Sequence, residues 1–271
     1  MPLTDLVRYF NLADAAGEST LYLEGERAAA WHMGLRLGSL FQPIVDLQRE
    51  RVVGHRASLS ARRADGTPVS SEAAYALCET GEAVVHFDRL CRTLHALNLL
   101  AQRRQVGGYL QLAVHPRHLQ AVPNQHGLVY EAILKRCGLG PADIVLEIDA
   151  GQGGANAGLG EAVNSYRQRG YRLALNVPAE DALPAALLAL RPDIVKLGLG
   201  VGRALLDSAR HAGVAVELSG IASGRDFALA RAAGVELGQG SLFGEAQADC
   251  RTTHSSQRVA YNSPSPTGVR T

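Results

Sequence analysis

Phe41-Gln42-Pro43-Ile44-Val45-Asp46-Leu47, followed after Gln48-Arg49-Glu50-Arg51 by Val52-Val53-Gly54-His55-Arg56-Ala57-Ser58-Leu59, reads as two apolar strands joined by a polar turn. β-Branched residues fill both runs and a glycine interrupts the second. Working outward, the same strand pattern returns at Tyr109 to Val114, Ile144 to Ile148, Tyr171 to Leu175, Ile194 to Leu197, Val214 to Leu218 and Val235 to Leu242. Helical spacing separates these runs. It is found over Ser70 to Leu100 with a break at Gly81, and over Leu128 to Arg136, Leu183 to Leu190, Ala204 to Ala212 and Arg225 to Ala233. Upstream, Ala28, Trp31, Leu35 and Leu37 predict a lead-in helix over Glu24 to Leu37, while residues 1 to 23 are weakly patterned.

Regular alternation of strand and helix implies a parallel sheet with right-handed crossovers, and eight such units at this length fit an α/β fold of the (β/α)8 barrel type. The expected division is an N-terminal extension over 1–29, a barrel domain over 30–246 and a disordered tail over 247–271, where Ser263-Pro264-Ser265-Pro266 marks the loss of apolar content. A doubly wound open sheet has one argument in its favour: Gly198-Leu199-Gly200-Val201-Gly202-Arg203 follows a strand and opens a helix, as a phosphate-binding turn does. Its glycine spacing is not GxGxxG, so a tight strand-to-helix turn explains it as well. The cluster from Gly151 to Gly160 reads as a flexible loop.

A chain of 271 residues with 46% hydrophobic content can bury a full core. With 27 basic against 26 acidic residues and a formal charge of +1, it carries no electrostatic footprint for nucleic acid or an anionic membrane. Cys78, Cys91, Cys137 and Cys250 show no metal-binding spacing and read as reduced, mostly buried thiols, which places the chain in the cytoplasm. The start, Met1-Pro2-Leu3-Thr4-Asp5, lacks a signal pattern, and no apolar run approaches the roughly 20 residues of a spanning helix.

The opening pair closely resembles that of the EAL domain, a bacterial family whose active members hydrolyse cyclic di-GMP. The resemblance extends over about residues 30 to 245. Leu110 to Arg117 follows the family's third strand and Asn-Leu-Ser-Pro turn, and Leu146-Glu147-Ile148-Asp149 its Leu-Glu-Leu-Thr. Leu173 to Pro178 stands for Leu-Ala-Leu-Asp-Asp-Phe, and Asp193-Ile194-Val195-Lys196 for the strand bearing a catalytic-site lysine. Leu218 to Ala222 occupies the place of Ala-Glu-Gly-Val-Glu, and Gln239-Gly240-Ser241-Leu242-Phe243 that of Gln-Gly-Tyr-Leu-Phe.

The resemblance implies a barrel whose first strand runs against the rest, a site at the strand ends and a pair of divalent cations there. It also marks what differs. The family's motif glutamate, two residues after the glycine, is Arg56, and the other matched ligand positions hold Ala113, Asn176, Val177, Ser219 and Ala222, so Glu147 is the one matched carboxylate. One glutamate cannot hold two hard dications, and Arg56 with Lys196 opposes them by charge. No catalytic residue, metal or cofactor is therefore expected. Gln42, Arg56, Glu147, Lys196 and Gln239 remain as candidate ligand-binding residues, with Arg56 and Glu147 expected to form an ion pair. Strand alternation sends His55 away from Arg56 and leaves only His115 on the parity of the lost asparagine, so His55, His115 and His118 make a poor zinc site. The other histidines read as polar surface residues. Two functions stay open: an inactive regulator that contacts another protein, and an effector that binds cyclic di-GMP without cleaving it. A homodimer is implied by the resemblance, through a loop rewritten here as Pro178 to Pro184.

Overall fold

The computed structural model describes residues 2–13, 19–104, 106–122, 124–150, 157–177 and 185–251. Eight strands close a barrel: β3 (Leu35–Asp46), β4 (Arg51–Arg63), β6 (Tyr109–Val114), β7 (Ile144–Asp149), β8 (Arg172–Asn176), β9 (Ile194–Gly198), β10 (Ala215–Ser219) and β11 (Leu237–Gln239). Neighbours from β4 through β6 to β11 run parallel, whereas β3 is antiparallel to both β4 and β11. That closure rules out the open doubly wound sheet. Around the barrel pack α2 (Ser71–Ala76), α3 (Gly81–Ala101), α4 (Pro116–Ala121), α5 (Leu128–Arg136), α6 (Ala157–Gln168), α7 (Ala185–Ala189), α8 (Arg203–His211) and α9 (Gly224–Ala232). The Gly198–Arg203 stretch is the turn that opens α8, and the glycine cluster after 156 lies inside α6 rather than in a loop.

The lead-in helix is not present. Residues 24–37 instead complete β1 (Ser19–Glu24), form β2 (Arg27–His32) and begin β3. Two tight turns decide this: Gly25 takes φ +61°, and Met33 and Gly34 take φ +50° and +73°, left-handed values that a helix cannot contain. Of the residues with helical spacing, Ala28, Leu35 and Leu37 lie buried on one face together with Ala30, at period two within each strand, whereas Trp31 falls on the opposite face and is exposed. A helix occurs further upstream, as α1 (Leu3–Ala13), with Leu6 and Val7 buried against β1.

β3 and β4, of 12 and 13 residues, overshoot the barrel and carry β1, β2 and the short β5 (Pro68–Val69) as an antiparallel extension. Along β3 the edge between β2 and β11 is filled by the chain after the barrel: Phe41 and Gln247 exchange backbone bonds of 2.6 and 3.1 Å. The expected tail thus begins as an ordered strap. Gln102 holds Ala248 and Cys250 at 3.3 and 2.7 Å, Arg27 pairs with Asp249, and Arg251 N–H reaches His55 Nε2 at 3.0 Å. Residues 252–271, and the loop 178–184 expected to mediate a dimer, lie outside the described residues.

Most of the core lies between strands and helices, but a second cluster of Ile44, Tyr109, Val145, Ala174 and Ile194 fills the barrel's interior floor. Val53 packs there too, because it is an extra residue on β4 opposite the step from Ile44 to Val45. This bulge resets the alternation. Val53 and Arg56 both point inward, and His55 points out, where the strap buries it completely.

Candidate functional site

Directly above the apolar floor, the inward positions of successive strands become polar. β6 contributes Gln111, β7 Glu147, β9 Lys196, β10 Glu217 and β11 Gln239, all buried, while β4 brings Arg56 to the rim with its side chain 31% exposed. Arg56 grips Glu147 bidentately, Nε to Oε2 at 2.7 Å and Nη2 to Oε1 at 3.0 Å. The expected ion pair is in place. Glu147 Oε2 also accepts from Gln111 Nε2 at 2.9 Å and Lys196 Nζ at 3.1 Å. Lys196 in turn reaches Gln239 Oε1 at 2.9 Å and Glu217 Oε1 at 3.2 Å, and Gln111 reaches the same Glu217 oxygen at 3.3 Å.

Of the five candidate residues, Arg56, Glu147, Lys196 and Gln239 therefore meet in one network. Gln42 sits beside Arg56 in register, but its amide donates to the Gly244 carbonyl at 3.1 Å. Gln111 and Glu217 were not among the candidates. The signal for Glu217 was available, since a glutamate two residues before Ser219 in the run Val214 to Leu218 shares its inward parity. Ser219 turns its hydroxyl to the Leu197 carbonyl at 3.0 Å.

The two carboxylates are driven in opposite directions. Burial pushes the Glu147 carboxyl up, but Arg56 and then Lys196 outweigh it and hold the group at about 2. Glu217 is raised by burial and by the Glu147 charge, against the opposing pull of Lys196. Arg56 is held more firmly protonated, because the Glu147 charge and bonds exceed the effect of burial.

The family resemblance assigns divalent cations to this mouth, and the side chains present do not fit them. Both oxygens of Glu147 accept from cationic donors, Glu217 faces an ammonium group, and a guanidinium stands in the first ligand seat. A hard dication needs several free oxygen donors, and the Arg56 guanidinium both takes one ligand seat and covers the oxygens of Glu147. Among the described residues no group of three or more His, Cys, Asp or Glu side chains is placed to hold a metal ion.

β4 and β6 pair only from Gly54–Arg56 to Tyr109–Gln111 and then diverge, which opens a cavity of about 840 Å³ between the mouth and helices α2 and α3. Arg56, Glu147, Asp149 and Asn176 line its inner end, and Tyr75, His115 and Arg117 its outer wall. That wall is held from behind by buried Asp88, which accepts from Arg92 at 2.6 Å, Tyr75 OH at 2.9 Å and His115 N–H at 3.2 Å, and contacts His118 Nδ1 at 3.0 Å. Burial pushes Asp88 up, yet Arg92 and His118 hold it well below the usual carboxylate range. His115 stacks on Tyr75 with ring centroids 3.9 Å apart. The expectation of surface histidines fails for His32, His95 and His126, which are buried, and holds for exposed His211; His55 and His118 are buried as well. A strap, a buried carboxylate or a polar helix face supplies partners that local sequence does not reveal. Burial holds His55 at about 4 and His95 at about 3. The four cysteines are free thiols, three of them buried.

No helix among the described residues is long and apolar enough to cross a membrane. Among curated proteins there is no match to this chain. Several solved structures share its fold. BlrP1 of Klebsiella pneumoniae, in a complex with manganese and cyclic di-GMP, aligns with TM-score 0.63 and 20% identity over 78% of this chain and 56% of its own. YkuI of Bacillus subtilis, described as having an EAL domain and holding its substrate cyclic di-GMP and calcium, gives 0.66 and 19% over 80% and 57%. The chain thus spans little more than half the length of these two. A standalone EAL protein from Vibrio cholerae O395, bound to cyclic di-GMP, gives 0.59 and 20% over 78% and 92%. The family model described as the EAL domain matches residues 34–246, and the chain belongs to that family.

Proposed function

We propose that this chain is a catalytically inactive EAL-type regulator of bacterial signalling in the cytoplasm, working through contact with another protein. The observation that carries the reading is the Arg56 guanidinium, bidentate on Glu147 where the family's motif carboxylate would stand. Metal-assisted hydrolysis needs oxygen donors that bring a cation and hold it open to substrate. Here the oxygens of Glu147 are satisfied by Arg56, Lys196 and Gln111, and Glu217 faces Lys196 at 3.2 Å, so fixed cations already occupy both carboxylates.

A second reading is supported by the cavity itself. About 840 Å³ lies open beside Arg56, and the named relatives hold cyclic di-GMP, so the alternative is an effector that binds the nucleotide without hydrolysing it. Calorimetry with cyclic di-GMP, with and without Mg²⁺, separates the two. No heat supports the contact protein, and micromolar binding that ignores Mg²⁺ supports the effector. The reading includes a homodimer, for which light scattering at micromolar concentration is expected to give twice the chain mass; a monomeric mass removes it.

A further inference from the structure

We infer that the open face of the antiparallel extension is the docking surface for an acidic segment of a partner protein. This rests on the protein-contact reading and locates that contact. The extension, β1 to β5, is buried chiefly on one face, where Ala28, Ala30, Leu35, Leu37, Ala57 and Ala61 pack inward; on the other face Ala29, opposite Tyr22, is buried. Its other face leads without interruption to the barrel mouth, since Gln42 and Arg56 continue the same alternation.

One row across that face runs Thr20, Trp31, Arg36, Arg62 and Pro68, each directly opposite the next. Trp31 keeps 39% of its surface exposed. Arg36 and Arg62 are cross-strand neighbours of like charge, an arrangement that is unfavourable without an anion above it. Arg36 is paired with Glu24, but Arg62 donates to the Gly66 carbonyl at 3.0 Å and has no carboxylate partner among the described residues.

Beside this row the centre of the face is flat. Gly38 stands opposite Ser60, and Leu40 opposite Ser58. Nothing in the fold requires the glycine: a Cβ there would meet only Ser60 Cβ at 3.9 Å, and its φ is not left-handed. A strand-interior glycine without an internal reason marks a place where another backbone comes close. Trp31 supplies the kind of apolar anchor that dominates contact energies, and the Arg62 guanidinium in the same row, which lacks a carboxylate among the described residues, matches one from a partner. Nucleic acid fits less well, because Glu24 lies on the same face and the chain has no basic stripe to follow a phosphate backbone.

Trp31 is the single tryptophan of the chain, so its emission reports this face alone. The full chain is titrated at low salt with poly-L-glutamate, with poly-L-lysine and with a single-stranded oligonucleotide. Poly-L-glutamate is expected to shift Trp31 emission saturably, with poly-L-lysine inert. Arg62→Glu should weaken the shift about tenfold. Gly38→Leu, which leaves charge unchanged and whose Cβ makes only an ordinary contact with Ser60, should weaken it as well, with far-UV circular dichroism confirming that both variants fold. A flat response to poly-L-glutamate, a response that neither variant weakens, or tighter binding of the oligonucleotide overturns the inference. None of these results bears on nucleotide turnover, so failure here is distinguishable from failure of the inactive-regulator reading.

Discussion

Replacing Arg56 by methionine keeps much of its aliphatic bulk and removes the guanidinium from Glu147. Two charge-assisted hydrogen bonds, at 2.7 and 3.0 Å, are lost from a carboxylate whose side chain is only 6% exposed. Breaking a buried pair outright costs about 3 to 5 kcal/mol. Two features reduce this: Lys196 and Gln111 still reach Glu147, and Arg56 is partly solvated before the change. A loss of about 2 kcal/mol at pH 7 follows, or about 4–8 °C in Tm for a domain of this size. The pH dependence gives a sharper test. Because the folded Glu147 pKa is depressed to about 2 from 4.5, its contribution is complete above pH 4.5 and is lost as pH falls from 4.5 towards 2. In Arg56→Met the folded value rises, so the gap between variant and parent should narrow over that same window. Urea unfolding followed by Trp31 fluorescence at pH 7 and pH 3 measures both quantities. A variant within about 0.5 kcal/mol of the parent at pH 7, the range of ordinary surface changes, or an equal deficit at both pH values, would refute the reasoning.

Glu217→Gln should cost less than about 1 kcal/mol, since burial already disfavours the charged form, whereas Glu147→Gln strands Arg56 and should cost more than about 2 kcal/mol. A folded Glu217 pKa raised above its unfolded value means stability present at low pH and lost as pH rises through the folded value, so Glu217→Gln should flatten that part of the profile; thermal melts in the reverse order would contradict the assignment. Ending the chain after Ala246 removes the strap that covers His55. Its pKa should then climb from about 4 towards 6.5 in an NMR titration, and an unchanged value would show that the strap does not bury it.

Much of this was legible in the sequence, and the exceptions have physical causes. The alternating elements were readable where a short apolar run is followed by a helical period, as at α5, which falls on Leu128–Arg136 as expected, but not at α6, whose first turn lies in the glycine cluster expected to be a loop. The Arg56–Glu147 pair was readable because matched inward positions at the tops of β4 and β7, on either side of β6, bring the two side chains together. Residues 24–37 misled because an alanine-rich run satisfies helical and alternating spacing at once, and only the left-handed turns at Gly25 and Met33–Gly34 decide between them. α1 was missed although Leu3, Leu6, Val7 and Phe10 have helical spacing. Glu217 was missed although its inward parity is legible, and Gln111 because a polar residue inside an apolar strand shows no partner in one dimension; its partners Glu147 and Glu217 come from strands far apart in the chain. The strap was read as tail for the same reason, since Gln247 to Arg251 is polar and gains its order from Phe41, Gln102 and His55.

The central claim is that the mouth of this barrel carries its own cations and performs no hydrolysis. The direct measurement is turnover of cyclic di-GMP by the purified chain in Mg²⁺ or Mn²⁺, followed by chromatography of linear product over a range of enzyme concentrations. The account predicts no product above the enzyme-free blank, and none from Arg56→Glu, which restores one carboxylate without the remaining donors. Linear product that scales with the concentration of the unaltered chain would contradict it.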